Sequence, residues 1–179
     1  KDPNFFVATG GISAGTGVNA QAHAVGHPAS SFYVYQQIYD KNGKAIEGAV
    51  VDRNGDGKIT EADKYFYKSP MAPVTMGLSS RLEYKNWDLG FSLRANIGNY
   101  VFNDLMAGQV NISPAAIWAS SEFLSNRPIA SVKDNWQTGQ ISAILSDRWV
   151  QNASFLKLDN VTLGYSFADL FKKIGRAHV

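Results

Sequence analysis

The chain has 179 residues, a net charge of +2, 45% hydrophobic and 18% charged residues, and no cysteine. That length can bury a core, and that balance is not the balance of a disordered chain. Missing thiols exclude disulfides and thiolate metal sites, scattered Lys and Arg offer no basic face to nucleic acid, and apolar runs of a few residues fall short of the roughly 20 that a membrane helix needs. A transmembrane barrel stays open, because its strands alternate and escape such averages.

Neither Lys1-Asp2-Pro3-Asn4 nor Gly175-Arg176-Ala177-His178-Val179 reads as a natural terminus, so the expectation is a piece of a longer protein. Residues 1–30 are rich in Gly, Ala, Ser and His and read as loop, with a strand at Phe5-Phe6-Val7-Ala8-Thr9. Ser31 to Tyr39 is aromatic and β-branched, hence extended. Asp40-Lys41-Asn42-Gly43-Lys44 is a turn built on Asn-Gly, and Ile46 to Val51 resumes the strand. A short helix is expected over 115–124, after Pro114.

The clearest hairpin runs from Gly77 to Gly98 around Lys85-Asn86. Leu78, Ser80, Leu82 and Tyr84, then Trp87, Leu89, Phe91, Leu93, Ala95 and Ile97, take one face. Ser79, Arg81, Glu83, Asp88, Gly90, Ser92, Arg94 and Asn96 take the other. Its second arm has the length of a tilted membrane strand, about 9–11 residues. A second hairpin is expected from Val150 to Phe167, with Asp159-Asn160 as its turn. Two tight turns and a long stretch at about 98–150 fit outer-membrane barrels, whose periplasmic turns are short and extracellular loops long. Alternation alone fits a soluble sandwich equally well, with one face in a core and the other in water.

Asp52 to Asp63 reads D-x-N-x-D-G-x-I-x-x-x-D, close to an EF-hand calcium loop. In that order Asp52, Asn54 and Asp56 are positions 1, 3 and 5, the Lys58 carbonyl is position 7, Thr60 is position 9 and Asp63 is position 12. Gly57 supplies the sharp turn. A Ca2+ ion wants six to eight oxygens at adaptable distances, which this spacing wraps around one point. Asp63 is shorter than the usual Glu and Asn54 lacks a charge, so the expected site is weak and structural, tying down a loop.

Little else carries chemistry. His23, His27 and His178 have no partner set, and Asp104, Asp134 and Asp147 lack paired-carboxylate spacing for acid–base work. Gly10 to Gly17 lacks the strand–helix frame of a phosphate loop. Trp118, Trp136, Trp149 and the Tyr residues of 33–39 are packing or girdle aromatics before they are sugar-stacking ones. No residues support an enzyme.

Several blocks in order resemble one family: Ser31-Phe32-Tyr33-Val34-Tyr35 with Tyr39-Asp40-x-Asn42-Gly43-Lys44; Val51 through Ile59; Pro73 through Gly77 into Tyr84-Lys85-Asn86-Trp87-Asp88-Leu89; and Asn152 through Tyr165. They are similar to the C-terminal barrel region of SusC/RagA-type TonB-linked outer membrane proteins of Bacteroidetes, over about residues 31–167. The resemblance implies an all-β fold, an antiparallel segment of a 22-stranded transmembrane β-barrel with long extracellular loops. It implies an outer-membrane location and TonB-coupled import of glycans or peptides with a SusD-like surface lipoprotein, TonB being reached through a plug and TonB box that this chain lacks. Leu82, Tyr84, Trp87, Leu89, Phe91, Leu93, Val161, Leu163 and Tyr165 would meet lipid, while Arg81, Glu83, Asp88, Arg94 and Asn96 would line the lumen. The competing expectation is a secreted, calcium-stabilised β-domain that binds surface glycans and buries the same apolar residues in its own core.

Overall fold

The structure, a computed structural model, describes residues 2–11, 18–110, 129, 133 and 141–167. The helix expected over 115–124 lies outside the described residues, as do Trp118, Asp134, Trp136 and His178. The chain divides into two compact units, residues 1–71 with 99–153 and residues 72–98 with 154–179.

In the first unit, β1 (Phe6–Gly11), β2 (Asn19–Ala24), β3 (Ser31–Val34) and β6 (Tyr65–Phe66) form an antiparallel sheet in the order β1-β2-β3-β6. The loop expected over residues 1–30 is thus corrected: its second half holds β2. Asn19-Ala20-Gln21-Ala22-His23-Ala24 alternates with period 2, but in alanine, a residue depleted from strands. Ala20 and Ala22 are buried, and their small size lets the neighbouring chain sit close. β4 (Gln37–Tyr39) pairs with β5 (Ala45–Val50) around the expected turn. There the Asp40 carboxylate accepts the N–H groups of Asn42 and Lys44, both at 2.8 Å.

The ends of the 98–150 stretch are zipped together, since β9 (Tyr100–Phe102) pairs with β10 (Val150–Asn152). The described residues between them include α1 (Asp104–Val110), the single turn α2 (Ile141–Ile144) and a 3-10 turn at Asp147–Trp149. Tyr35 and Ser146 form a parallel bridge in which Tyr35 N–H donates to the Leu145 carbonyl (2.9 Å) and Asp147 N–H to the Tyr35 carbonyl (2.8 Å). The core groups around Ala45, Ala107, Ala143 and Trp149, around Ala20, Tyr35, Val50 and Leu145, and around Phe32, Val34 and Val150. Phe102 packs against all three, so one ring on a three-residue strand ties this unit together.

The second unit is a three-stranded antiparallel sheet, order β11-β8-β7. β7 is Val74–Tyr84, β8 is Trp87–Ile97 and β11 is Phe155–Tyr165, each of 11 residues. β7 and β8 pair from Tyr84↔Trp87 to Val74↔Ile97 without a slip, around Lys85, whose φ is +53°.

The expected hairpin around Asp159-Asn160 is not there. β11 is one continuous strand that pairs with β8 from Phe155↔Asn96 to Tyr165↔Trp87, with a register shift between Leu158 and Asn160. Asp159 is the extra residue of a β-bulge. The apolar phase breaks at this point, from Leu156 and Leu158 to Val161, Leu163 and Tyr165. A bulge breaks phase as a turn does; only the pairing on both sides of it tells the two apart.

Candidate functional site

The registers place every residue of the sheet on one of two faces. On one, Val74, Met76, Leu78, Leu82 and Tyr84 of β7 lie beside Ile97, Ala95, Leu93, Leu89 and Trp87 of β8. Leu156, Leu158, Val161, Leu163 and Tyr165 of β11 flank them. This surface is open: Tyr84 is 70% exposed, Leu156 75% and Leu163 65%. Monomeric soluble proteins rarely expose so large a contiguous apolar patch. An 11-residue strand is about 36 Å long at roughly 3.3 Å per residue, and at a tilt of about 45° it spans about 25 Å, the height of the apolar band of an outer-membrane barrel.

Aromatic rings collect at the Lys85-Asn86 end. Tyr84, Trp87 and Tyr165 stand in one cross-strand row, with Trp87 and Tyr165 edge to face at 4.8 Å and Phe167 at 4.7 Å from Tyr165. Aromatic girdles of this kind mark the boundary between lipid and water.

The opposite face is polar and internally paired. Arg81 Nε lies 3.0 Å from Glu83 Oε1, and its Nη2 lies 3.8 Å from Asp88 Oδ2. The bulge places Asp159 Oδ1 3.2 Å from Arg94 Nη2 and 3.5 Å from Lys157 Nζ. Ser79 and Ser92 hydroxyls meet at 3.0 Å. The Asp88 carboxylate folds over Gly164, directly across the sheet, in space that any larger residue at 164 would occupy. The sequence placed Arg81, Glu83, Asp88, Arg94 and Asn96 on this face; it missed Asp159 and Gly164, whose roles depend on the neighbouring strand.

The acidic loop folds on its own main chain. Asp52 accepts the N–H of Gly55 on Oδ1 and of Gly57 on Oδ2, both at 2.7 Å. Asn54 Oδ1 accepts Asp56 N–H (3.0 Å), and Asp56 Oδ1 accepts Lys58 N–H (2.8 Å). Asp63 is fully buried. Its Oδ1 accepts the N–H groups of Arg53 (2.9 Å) and Asn54 (3.3 Å); its Oδ2 accepts Thr60 N–H (2.7 Å) and the Thr60 hydroxyl. Thr60 and Asp63 form a capping box around the 3-10 turn Glu61–Asp63. The Thr60 amide first, and then those of Arg53 and Asn54, hold the Asp63 carboxyl below its ordinary range, against the opposing effect of burial. The six expected ligand positions are thus within one loop, with Asn54, Asp56, Lys58 and Thr60 exposed, Asp52 half-buried and Asp63 buried. Among the described residues, no three carboxylate or imidazole side chains converge as a metal-binding group.

Beside the loop, Lys64 Nζ pairs with Glu61 Oε2 at 2.6 Å and lies over the Tyr35 ring. Burial, and then Glu61, push the Tyr35 hydroxyl up to about 12. The Tyr65 hydroxyl donates to Asp147 Oδ2 at 2.7 Å and Gln37 N–H donates to Asp147 Oδ1 at 3.0 Å. Burial and the Asp147 hydrogen bond raise the Tyr65 pKa. Asp147 is therefore a structural acceptor that joins distant segments.

The chain is 47% identical over 172 residues, 96% of its length, to the TonB-dependent receptor SusC of Bacteroides thetaiotaomicron. The chain belongs to the SusC-type TonB-dependent receptors. It spans 17% of that relative's length. It is 26% identical over 126 residues, 67% of the chain and 12% of the relative, to the TonB-dependent receptor P3 of Formosa agariphila. No protein-family model matches the chain. In fold, a solved structure of the RagAB peptide importer in its closed-closed state covers 85% of the chain, and the chain covers 18% of it, with a TM-score of 0.56 and 19% identity. The sheet is thus part of a barrel wall, and SusC-type receptors are proteins of the outer membrane. An apolar band is what a membrane barrel turns toward lipid.

Proposed function

We propose that this chain forms part of the barrel of an outer-membrane, TonB-dependent importer that takes up glycans or peptides with a SusD-like surface lipoprotein. The observation that carries the reading is the apolar face, in register across three strands and closed by an aromatic row, on a chain 47% identical to SusC. The polar face of the sheet then lines the lumen. The Lys85-Asn86 turn lies on the periplasmic side, while the acidic loop and the 98–150 stretch lie outside the cell. TonB acts through other parts of the protein, and no catalytic group is needed. The test is fractionation of the protein that carries this segment, with mass spectrometry of what co-purifies. Extraction from outer membranes only by detergent, together with a surface lipoprotein, is the expected result; recovery as a soluble protein without detergent would refute it.

We also propose a weak calcium site in the acidic loop, held by Asp52, Asn54 and Asp56 and the Lys58 carbonyl. What supports it is the spacing of these four residues, of which Asn54, Asp56 and Lys58 are exposed. Thr60 and Asp63 fit less well, because Asp63 already accepts three amides and a hydroxyl. The ion would add a fixed positive charge among the carboxylates and so brace the loop. Its Kd is expected on the order of 10⁻⁴–10⁻³ M, as in weak extracellular modules. Calorimetric titration of the protein with calcium, against Asp52→Ala, measures it; equal heats for the two proteins would dismiss the site.

A further inference from the structure

Two Asn-Gly pairs lie in exposed turns, Asn42-Gly43 at the tip of the β4–β5 hairpin and Asn54-Gly55 in the acidic loop. Asparagine before glycine is a chemically labile pair, because no Cβ shields the glycine nitrogen from the neighbouring side chain. That nitrogen attacks the asparagine Cγ, the Cγ–Nδ2 bond breaks, and the amide leaves as ammonia. Water then opens the cyclic imide at either carbonyl to give aspartate or isoaspartate. One water is consumed and one ammonia released, with no change of oxidation state. Gly43 and Gly55 have almost the same φ, +77° and +74°, with open space where a Cβ would stand.

What differs is how the reacting atoms are held. At Asn54 the attacking nitrogen, that of Gly55, donates to the Asp52 carboxylate at 2.7 Å. Both ends of the Asn54 amide are also fixed: Oδ1 accepts Asp56 N–H at 3.0 Å, and Nδ2 donates to Asp56 Oδ2 at 3.1 Å. The side chain cannot turn toward Gly55 without breaking these bonds. At Asn42 the Gly43 nitrogen donates to the Asp40 carbonyl at 3.0 Å. Among the described residues the Asn42 side-chain amide has no hydrogen bond, and it is exposed.

We propose that Asn42 is a site of spontaneous deamidation in the folded protein, and that the hydrogen bonds of the acidic loop shield Asn54 from the same reaction. The product puts a second carboxylate beside Asp40 at the hairpin tip. Its isoaspartyl form inserts a methylene into the main chain between the two amides, Asn42 and Lys44, that the Asp40 carboxylate caps. This modification is independent of what the receptor imports.

The test incubates the detergent-purified protein at mildly alkaline pH and follows each pair by peptide mass spectrometry and isoaspartyl methyltransferase labelling. Conversion at Asn42 is expected to exceed that at Asn54 by roughly tenfold or more, the factor that about one ordinary hydrogen bond is worth. Denatured protein should convert both pairs at similar rates. Asp52→Ala should speed conversion at Asn54 and leave Asn42 unchanged, which separates loss of the shield from general unfolding. Equal rates at the two pairs in the folded protein would overturn the proposal, as would an Asp52→Ala protein whose Asn54 converts no faster.

Discussion

Asp63 gathers the acidic loop by accepting the amides of Arg53, Asn54 and Thr60, and those bonds are strongest while its carboxyl is ionised. Its folded pKa lies below the unfolded value. The stabilisation is therefore present above the ordinary carboxylate range and is lost as pH falls through the folded pKa. Hydrogen exchange of the Arg53, Asn54 and Thr60 amides should stay slow at neutral pH, after correction for intrinsic rates, and lose protection on acidification below about pH 4. Asp63→Ala, which removes both acceptor oxygens, should show the unprotected pattern at neutral pH already. Protection that ignores both acid and substitution would mean that the loop is held by something else. The spacing of Asp52, Asn54, Asp56 and Asp63 was visible in the sequence. The inward turn of Asp63 was not, because a carboxylate ten residues from an amide gives no local sign of which donor it will meet.

At the scale of elements, β8 is the central strand of its sheet and its alternation sets both faces. Leu93→Arg should cost about 2–4 kcal/mol if position 93 lies near the bilayer midplane. Ser92→Arg, on the polar face, should cost much less. Folding of the two variants into lipid vesicles under denaturant measures this, and equal costs would remove the lipid assignment. The bulge makes a subtler prediction. Deleting Asp159 leaves Leu158 and Asn160 as ordinary alternating neighbours, so the strand should keep its pairing with β8 and the protein should still assemble. It should lose the tie from Arg94 and Lys157 to a shared carboxylate. Deleting Thr162 would instead bring Val161 next to Leu163 and turn one half of the strand over. Assembly yields in the outer membrane distinguish these outcomes; equal failure of both deletions would show that the bulge itself is required. The β7–β8 hairpin was legible because period 2 and a two-residue turn are local signals. β11 was misread because a bulge and a turn leave the same mark on one strand.

At the scale of the molecule, a three-stranded sheet with one wide apolar face left open is a liability in water and a surface suited to lipid. It fits a wall whose neighbouring strands and lipid supply what is missing. The first unit is different in kind, with aromatic and alanine clusters buried around Phe102. Short elements are gathered there by hydrogen bonds such as Tyr65 to Asp147, 82 residues apart. Segments this distant announce nothing in sequence, which shows only a long stretch where the structure has zipped ends.

By itself the sequence determined the alternating faces of β7 and β8, the turn between them, the spacing of the acidic loop and the resemblance to SusC-type receptors. All of these follow from patterns a few residues long or from ordered blocks of residues. Only the tertiary structure decided that Asp159 bulges rather than turns, that an alanine-rich run is a buried strand, that Asp63 points at amides and that Tyr35 bridges to Ser146. Each of those depends on which partner, far along the chain, offers its hydrogen bonds and its space.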